Sequence, residues 1–264
     1  MILFTGNGAF YNAFQKENAC GYVSLRRSDD ATLRAALKNA KVVVHNAANI
    51  QCADVEEAVR DNFLPTLRLV SLCEETNPAV KFVHIGSMSY LASEKAYLPV
   101  EEMSPYAYSK YLAETYCLKS ALPNVCSVRF STLFYQDPKK DGLSKLIADA
   151  VEHRSITIYN GGTARRDFLP LDVAVAYTAK LIGQVSGKSA VTLAAGRSVS
   201  FGEIARHLQG CIPDLKVNDL PAVFNGREVL SDFSGEDIRR LGEIPFSLEA
   251  EMEKYLRSLQ PVTA

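Results

Sequence analysis

The sequence predicts an α/β fold in which helices cover both faces of a parallel sheet, an arrangement called doubly wound. Short apolar runs followed by turn residues recur at positions 2–5, 22–25, 42–45, 82–86 and 125–130. Helical patterns lie between these runs. Strands that alternate with helices need crossover connections, and such connections produce parallel strands.

The clearest helical pattern covers residues 54–73, where apolar residues recur at three- and four-residue steps and form one face. Pro65 lies inside this pattern and predicts a kink. Further elements are predicted as helices at 105–122, 143–151, 171–182 and 201–208 and as strands at 155–159 and 190–195.

The alternation loosens after about residue 135, where a polar loop covers residues 136–142. We therefore predict two parts. Residues 1–135 form a Rossmann-like domain for a dinucleotide, completed by parts of the later chain. Residues 136–264 form a mixed segment that includes a small C-terminal substrate-binding lobe. Ligands bind at the carboxyl edge of such sheets, so a cleft between the two parts is the predicted site.

The amino-acid composition argues against several classes of function. A formal net charge of −1 on 264 residues argues against broad binding of polyanions, so no nucleic-acid partner is expected. No apolar run reaches the ~18–20 residues that span a bilayer, so no membrane partner is expected. The first residues lack the features of a signal peptide. The six cysteines lie mostly among apolar neighbours and show no metal-ligand spacing, which predicts a cytoplasmic protein without a metal site.

A glycine-containing turn, Thr5-Gly6-Asn7-Gly8-Ala9-Phe10, directly follows the first predicted strand. Glycines at this point allow a tight turn and the close approach of backbone amides to a pyrophosphate. An ordinary strand–turn is the alternative, and the further glycine expected near Tyr11 or Asn12 is missing. The turn predicts a dinucleotide site with an altered loop.

Two arginines, Arg26 and Arg27, follow the second predicted strand, where a site for NAD usually has an acidic residue. Guanidinium groups suit the 2′-phosphate of NADP because they combine charge with paired donors. An exposed basic turn is the alternative. The pair favours NADP(H) over NAD(H) as the cofactor.

A serine, a tyrosine and a lysine form the candidate catalytic set. Ser87 ends a predicted strand, and Ser104 and Pro105 then predict a helix start that places Tyr106 and Lys110 one turn apart on one face. A lysine ammonium near a phenol lowers the phenol pKa from its usual ~10. Tyr106 could then exchange a proton with an alcohol while Ser87 holds the oxygen, as hydride moves at the same carbon.

With these segments in this order, the chain resembles the extended short-chain dehydrogenase/reductase family, which includes nucleotide-sugar epimerases, dehydratases and reductases. The segments that carry the resemblance are Thr5–Gly8, His45–Ala48, Asn62–Thr66, Ser87 with Tyr106 and Lys110, Val128–Phe134 and Gly161–Val173.

The resemblance implies roles for individual residues. Ser87, Tyr106 and Lys110 match the catalytic positions, with Tyr106 and Lys110 also at the cofactor. The other implied cofactor residues are Gly6, Gly8 and Phe10 at the pyrophosphate, Asp29 or Asp30 at the adenine side and Ala47 at the nicotinamide side. The implied substrate residues are Ser89, Thr132, Arg166 at the diphosphate and Arg227, for which a surface charge is the alternative.

Departures from the family pattern bear on the reaction. Met88 and Ser89 stand where family dehydratases have an Asp-Glu pair, which predicts against dehydration. Two reactions on a nucleotide sugar then stay open, namely reduction of a 4-keto sugar by NADPH and 4-epimerisation with retained NAD. A regulatory protein that binds a dinucleotide without turnover is the third alternative. The resemblance also implies a homodimer built on helices 54–73 and 105–122.

Overall fold

The computed structural model describes residues 1–93, 96–222 and 236–260. Within these residues the strands, in chain order, are β1 (Ile2–Phe4), β2 (Cys20–Tyr22), β3 (Val42–His45), β4 (Lys81–Ser87), β5 (Leu91–Ser93), β6 (Ala96–Tyr97), β7 (Val125–Phe130), β8 (Thr132–Phe134), β9 (Ser155–Tyr159), β10 (Arg165–Pro170), β11 (Lys188–Leu193), β12 (Ser198–Ser200) and β13 (Lys216–Leu220). The α-helices are α1 (Ala9–Phe14), α2 (Asp30–Lys38), α3 (Val55–Ala58), α4 (Leu64–Thr76), α5 (Pro105–Lys119), α6 (Gly142–His153), α7 (Leu171–Gln184), α8 (Phe201–Cys211), α9 (Glu236–Leu241) and α10 (Leu248–Leu259).

The main sheet has six strands in the order β11-β7-β4-β3-β1-β2. Neighbouring strands are parallel throughout. Side chains that alternate along the strands enter two cores, so Phe4 and Val44 pack with α1 and α7, whereas Leu3 and Val43 pack with α2 and α4. The predicted doubly wound α/β fold is confirmed. The strand order reverses between β1 and β3, which is the switch point where such sheets bind ligands.

A separate apolar core holds the smaller lobe. It joins α6, α8 and α10 to two small sheets, one with the strand order β12-β10-β8 and one that pairs β13 with β9. The later chain also returns to the large sheet, because β11 pairs with β7 and α7 packs in the same core as β1. The two small sheets of this lobe therefore lie beside the carboxyl edge of the large parallel sheet.

Two predictions need correction in detail. The second strand is β2, Cys20–Tyr22, and not residues 22–25, because Val23 and Leu25 are buried beneath α2 and α4 in a turn after the strand. The break in the long helix is confirmed near Pro65, but its form is a π-helical turn, Val59–Phe63, and Pro65 then lies at the first positions of α4. Pro65 lacks an amide hydrogen, which is tolerated at a helix start.

Candidate active site

A cleft of about 560 Å³ opens at the carboxyl ends of β1, β3, β4 and β7. Small residues make part of its lining, which leaves space close to the backbone. The lining residues are Gly8, Ala9, Phe10, Asn46, Ala48, Ile50, Ile85, Gly86, Ser87, Met88, Ser89, Tyr106, Lys110, Phe130, Ser131, Thr132, Leu133, Tyr135, Lys140, Asp141 and Gly142. Most of the residues predicted from the catalytic and glycine motifs therefore meet in one place.

The turn after β1 is fixed to the loop after β3. The Gly6 amide donates to Asn46 Oδ1 at 2.8 Å, and a side chain at Gly6 would lie 2.9 Å from the Ala47 nitrogen. Glycine is therefore required at this contact. Gly8 is the N-cap of α1 and faces open space. Ala47 itself packs under Gly6, and its neighbours Asn46 and Ala48 line the cleft instead.

Aromatic rings lie between α1 and β1, where the expected further glycine is missing. The ring of Phe4 lies 6.4 Å from Phe10, 5.3 Å from Tyr11 and 4.9 Å from Phe14. Phe10 also packs against Phe130 at 5.5 Å and reaches the cleft. Large side chains thus fill the space that a glycine would close.

Ser87 and Tyr106 lie on the floor of the cleft, which we define as the lining residues Ser87, Tyr106 and Lys110. The predicted helix start is confirmed, because the Ser104 side chain caps α5 at the Ala107 amide and Pro105 is the first helical residue. Tyr106 and Ser87 both line the cleft, and the Ser87 hydroxyl donates to Ser89 Oγ at 2.9 Å. The structure thus brings Ser87, Ser89 and Tyr106 together.

The pKa of Tyr106 differs from the sequence-based expectation. Desolvation in the cleft and, to a smaller extent, the nearby Tyr135 phenol raise this pKa to about 12, although the Ser87 hydroxyl acts to lower it. The expected lowering by Lys110 is therefore wrong for the protein without ligand. The reason is geometric, since the Lys110 ammonium is directed at His84 Nε2, 3.2 Å away.

Lys110 is held by a buried chain of polar groups that the sequence did not reveal. His84 accepts from Lys110 through Nε2, which leaves Nδ1 to donate to Ser127 Oγ at 3.0 Å. The Ser127 hydroxyl also lies near enough to the Glu114 carboxyl to lower its pKa. Burial lowers the pKa of His84 well below its ordinary value, so the imidazole is neutral and can accept. Burial also lowers the pKa of Lys110, to about 8, although Cys117 and Glu114 favour its charge.

Glu114 ends this chain in a buried ion pair. Arg129 donates to both of its carboxylate oxygens at 2.5–3.1 Å, and the hydroxyls of Tyr90 and Tyr97 donate at 2.8 and 2.9 Å. Burial opposes the charge on Glu114, but the bonds and charge of Arg129 outweigh it, so its pKa stays below the ordinary value. We call Lys110, His84, Ser127, Glu114 and Arg129 the buried polar chain.

The loop after β3 is anchored by Asn62 in the π-helical turn. Its Oδ1 accepts from the Asn49 amide at 2.6 Å, while its Nδ2 donates to the Asn49 carbonyl at 2.9 Å and to Ser109 Oγ at 3.0 Å. Ser109 immediately precedes Lys110 on α5. The π turn therefore ties the cleft-lining loop to the helix that carries the catalytic set.

The turn after β2 is exposed, and its acids have structural partners. Arg26 and Arg27 are exposed, and Arg26 lies 3.3 Å from Asp61. Asp29 caps α2 at the Thr32 amide, which lowers the pKa of its carboxyl. Asp30 accepts from Arg68, a residue that sequence reasoning missed.

Arg68 holds this turn in shape. It also donates to the carbonyls of Leu25 and Ser28, at 2.9 and 3.0 Å. Asp29 and Asp30 are therefore engaged in folding the turn, and their predicted role at the adenine side stays a prediction.

The predicted substrate residues fall in different places. Ser89 and Thr132 line the cleft. Arg166 lies on β10, where its Nη1 donates to the Arg165 carbonyl at 2.8 Å, and it is absent from the cleft lining formed by the described residues. Arg227 lies outside the described residues. Arg165 is engaged by Ser198 and Glu203.

Several further cleft residues were missed, among them Ser131, Tyr135 and Lys140. Ser131 is the most informative, because its hydroxyl is buried without a hydrogen-bond partner within the described structure. A buried hydroxyl without a partner is costly, and a bound ligand would supply one. Ser131 follows the strand end at Phe130, and this position at the carboxyl edge was the available signal.

The strand-order reversal with a cleft beside it is the arrangement with which doubly wound α/β proteins bind ligands. The sequence matches the NAD dependent epimerase/dehydratase family over residues 5–190, more than half of the chain. The chain belongs to this family. Within the described residues, each helix is too short or too polar to cross a membrane.

Individual relatives give the same family. A putative UDP-glucose 4-epimerase of Methanocaldococcus jannaschii is 30% identical, with 67% of this chain and 63% of the relative covered. The chain thus spans less than two thirds of that curated relative. Among solved structures, MoeE5 in complex with UDP-glucose and NAD has a TM-score of 0.82 at 22% identity, covering 98% of this chain and 99% of that one.

A second solved structure is the UDP-glucose 4-epimerase of Thermotoga maritima with UDP-glucose. Its TM-score is 0.78 at 18% identity, with 97% of this chain and 98% of that chain covered. An NDP-hexosamine 5,6-dehydratase, TunA, has a TM-score of 0.80 at 19% identity and covers 97% of this chain and 96% of its own. The same fold thus occurs in proteins named for epimerisation and for dehydration.

Proposed function

We propose that this chain interconverts the two 4-epimers of a nucleoside diphosphate sugar with NAD, and that a UDP-sugar is its first candidate substrate. The observation that carries the proposal is that Ser87, Tyr106 and Lys110 line one cleft, with Lys110 one turn beyond Tyr106 on α5. The relatives named for UDP-glucose 4-epimerase activity support this choice of reaction and nucleotide.

The cleft has the features that a dinucleotide needs. Gly8 faces open space, Ala9 beside it is small, and the buried Ser131 hydroxyl lacks a partner within the described structure. The turn from Gly6 to Phe10 would hold the pyrophosphate, and Tyr106 with Lys110 would hold the nicotinamide ribose. The nicotinamide, when bound, accepts and returns a hydride at the sugar carbon.

In this proposal Tyr106 moves the proton. Its phenolate takes the proton of the sugar 4-hydroxyl, Ser87 donates to the same oxygen, and Tyr106 returns the proton after the ketone has presented its other face. A phenol with a pKa near 12 is a weak base at neutral pH, and positive charge bound beside it would lower that pKa. The Lys110 ammonium has three donors, one of which is directed at His84, so others remain for the cleft.

Elimination of water is not part of this proposal. Met88 is buried and carries no exchangeable proton, and Ser89 is a hydroxyl bonded to Ser87. Dehydration needs an acid and a base beside the sugar, and a hydroxyl or thioether supplies neither near neutral pH.

Reduction of a 4-keto nucleotide sugar by NADPH is the second candidate, and one observation favours it. Arg26 and Arg27 are exposed at the end of the turn after β2, where a 2′-phosphate would lie. Arg26 could still bind a phosphate, because its contact with Asp61 is a single ion pair of 3.3 Å at the surface, and such pairs are weak. The preference for NADP(H) stays a prediction, because MoeE5 was solved with NAD.

Proton NMR of the sugar products distinguishes these candidates. The purified protein is incubated with UDP-glucose and catalytic NAD, and separately with a 4-keto nucleotide sugar and NADPH. We expect UDP-galactose to appear in the first reaction until the two epimers reach equilibrium. Turnover in the second reaction alone would replace the epimerase by the reductase. Cofactor binding without turnover of any nucleotide sugar would instead identify a regulatory dinucleotide-binding protein.

A further inference from the structure

Three side chains that can bind a metal ion lie close together in the small lobe. They are far in sequence from the Ser–Tyr–Lys set. His207 and Cys211 lie one turn apart on α8, and Glu253 faces them from α10. His207 Nε2 lies 3.8 Å from Cys211 Sγ and 3.6 Å from Glu253 Oε1, and all three ligand atoms lie within 4.8 Å of one another. All three residues are partly buried.

The spacing of these atoms fits one ion at their centre. A tetrahedral zinc ion has bonds of about 2.3 Å to sulfur and about 2.0–2.2 Å to nitrogen or oxygen, so its ligand atoms lie roughly 3.4–3.6 Å apart. The 3.6 and 3.8 Å separations in this cluster are close to that range. Small side-chain rotations would complete the geometry, with water as the fourth ligand.

The two carboxylate oxygens of Glu253 face different partners, and this favours a metal ion at the centre of the cluster. Its Oε2 lies 3.5 Å from the Arg257 guanidinium, while its Oε1 is directed at His207. Arg257 therefore orients the carboxylate without occupying the oxygen that faces the cluster. The thiol must lose a proton to bind metal, and burial, followed by the charge of Glu253, raises the pKa of Cys211. Metal binding should then release a proton.

We propose that His207, Cys211 and Glu253 form a binding site for a divalent transition metal of the zinc type. A mixed nitrogen, sulfur and oxygen donor set suits zinc and excludes magnesium or calcium, which prefer oxygen ligands. The ion would join α8 to α10. Both helices contribute to the core of the small lobe through residues such as Leu208 and Met252, so the metal would act as a clamp on that lobe.

Cobalt binding to the full, reduced protein tests the site without any reliance on enzymatic activity. Co²⁺ replaces zinc and reports thiolate ligation through an intense near-ultraviolet band. We expect saturation at one equivalent, a band that zinc displaces, and a melting temperature that rises with either metal.

Matched variants locate the site. Cys211→Ser should abolish the thiolate band, and His207→Gln or Glu253→Gln, which each remove a direct ligand, should weaken binding by at least the ~10–100-fold that loss of an outer-shell partner costs. Two control variants should change neither the thiolate band nor the metal affinity. They are Cys20→Ser, at another half-buried thiol, and His153→Gln, at another His–Glu pair.

Absence of the band in the wild-type protein would overturn the proposal and leave a His207–Glu253 ion pair as the purpose of this cluster. A band that survives in a folded Cys211→Ser protein would overturn it equally. If that variant does not fold, His207→Gln carries the decision, because binding that is unchanged in His207→Gln contradicts the site.

Discussion

The cleft floor and the turn after β2 would both face the same cofactor, yet they are built in opposite ways. From the floor, the buried polar chain runs from Lys110 to Arg129, and Lys110, His84 and Arg129 are all buried and hydrogen-bonded within it. In the turn, Arg26 and Arg27 project into solvent. The difference suggests that proton transfer depends on rigid burial, whereas the choice between NAD and NADP depends on side chains that can change at little structural cost.

The largest expected effect is at the floor itself. Tyr106→Phe keeps the ring and removes the hydroxyl, so turnover should fall by about 10²–10⁴-fold while the melting temperature and cofactor affinity stay near wild type. Steady-state kinetics with the nucleotide sugar, together with a cofactor titration, measure both quantities. A variant that retained most of its turnover would refute the role of Tyr106.

Breaking the buried polar chain should unfold the protein more readily. Arg129→Met leaves the Glu114 carboxylate buried without its counter-ion, which should lower the free energy of unfolding by about 3–5 kcal/mol. The exposed pair of Arg34 and Glu75 is the control, and Arg34→Met should cost about 0–1 kcal/mol. Denaturant titration compares the two. Equal losses of unfolding free energy in Arg129→Met and Arg34→Met would mean that the buried ion pair stabilises the protein no more than the exposed pair does.

Much of the fold followed from the sequence because apolar periodicity and helix caps are local signals. Strands β3, β7 and β9 have the predicted limits, and Ser104 with Pro105 fixed the start of α5. The limits of β2 were wrong because Val23 is buried by packing against helices and not by a place in a strand. Burial alone does not distinguish a residue in a strand from a residue that packs against helices outside a strand.

The parts of the site that were missed depend on contacts between distant segments. His84, Ser127 and Arg129 are polar residues within strands, and nothing local to β4 or β7 shows that Glu114 on α5 reaches them. The sequence analysis found no metal-ligand spacing, although His207 and Cys211 are four residues apart on α8, and Glu253 joins them only through the packing of α10.

Arg166 tests whether the lobe contributes substrate binding. Arg166→Ala should raise KM for a nucleotide sugar about tenfold or more with a smaller effect on kcat, because diphosphate binding is shared by ground and transition states. Arg166→Lys should recover only part of this, since lysine lacks the planar fork. Arg165→Ala is the control, because Arg165 is engaged by Ser198 and Glu203, and it should mainly lower the melting temperature. An unchanged KM in Arg166→Ala would give Arg166 a structural role.

Removing the exposed arginines should have a more moderate effect. Replacing Arg26 and Arg27 together with alanine should weaken NADPH by about tenfold or more relative to NADH, the value of lost charge-assisted hydrogen bonds. The free energy of unfolding should change little, because both side chains are exposed. Titration of both dinucleotides measures the ratio. Equal effects on NADH and NADPH would assign these arginines to the solvated surface.

The smallest expected effect is a shift of the pH profile. Lys110 is charged below its pKa of about 8, so activity that needs this charge should be lost as pH rises through that value. His84→Phe removes an acceptor that favours the ammonium and should move the alkaline limit of kcat to lower pH. His84→Gln retains an acceptor and should restore it. Profiles that coincide in all three proteins would exclude His84 as the positioning residue for Lys110.

In the proposed reaction, the cleft floor couples proton transfer by Tyr106 to hydride transfer on a nucleotide sugar. The most direct measurement is the reduced-nicotinamide absorbance when the protein loaded with NAD is mixed rapidly with UDP-glucose. We expect a transient rise in the wild-type protein that decays as the epimers equilibrate, and a rise at least ~10²-fold slower in Tyr106→Phe. Nucleotide-sugar binding with no absorbance change, or equal transients in the two proteins, would contradict it.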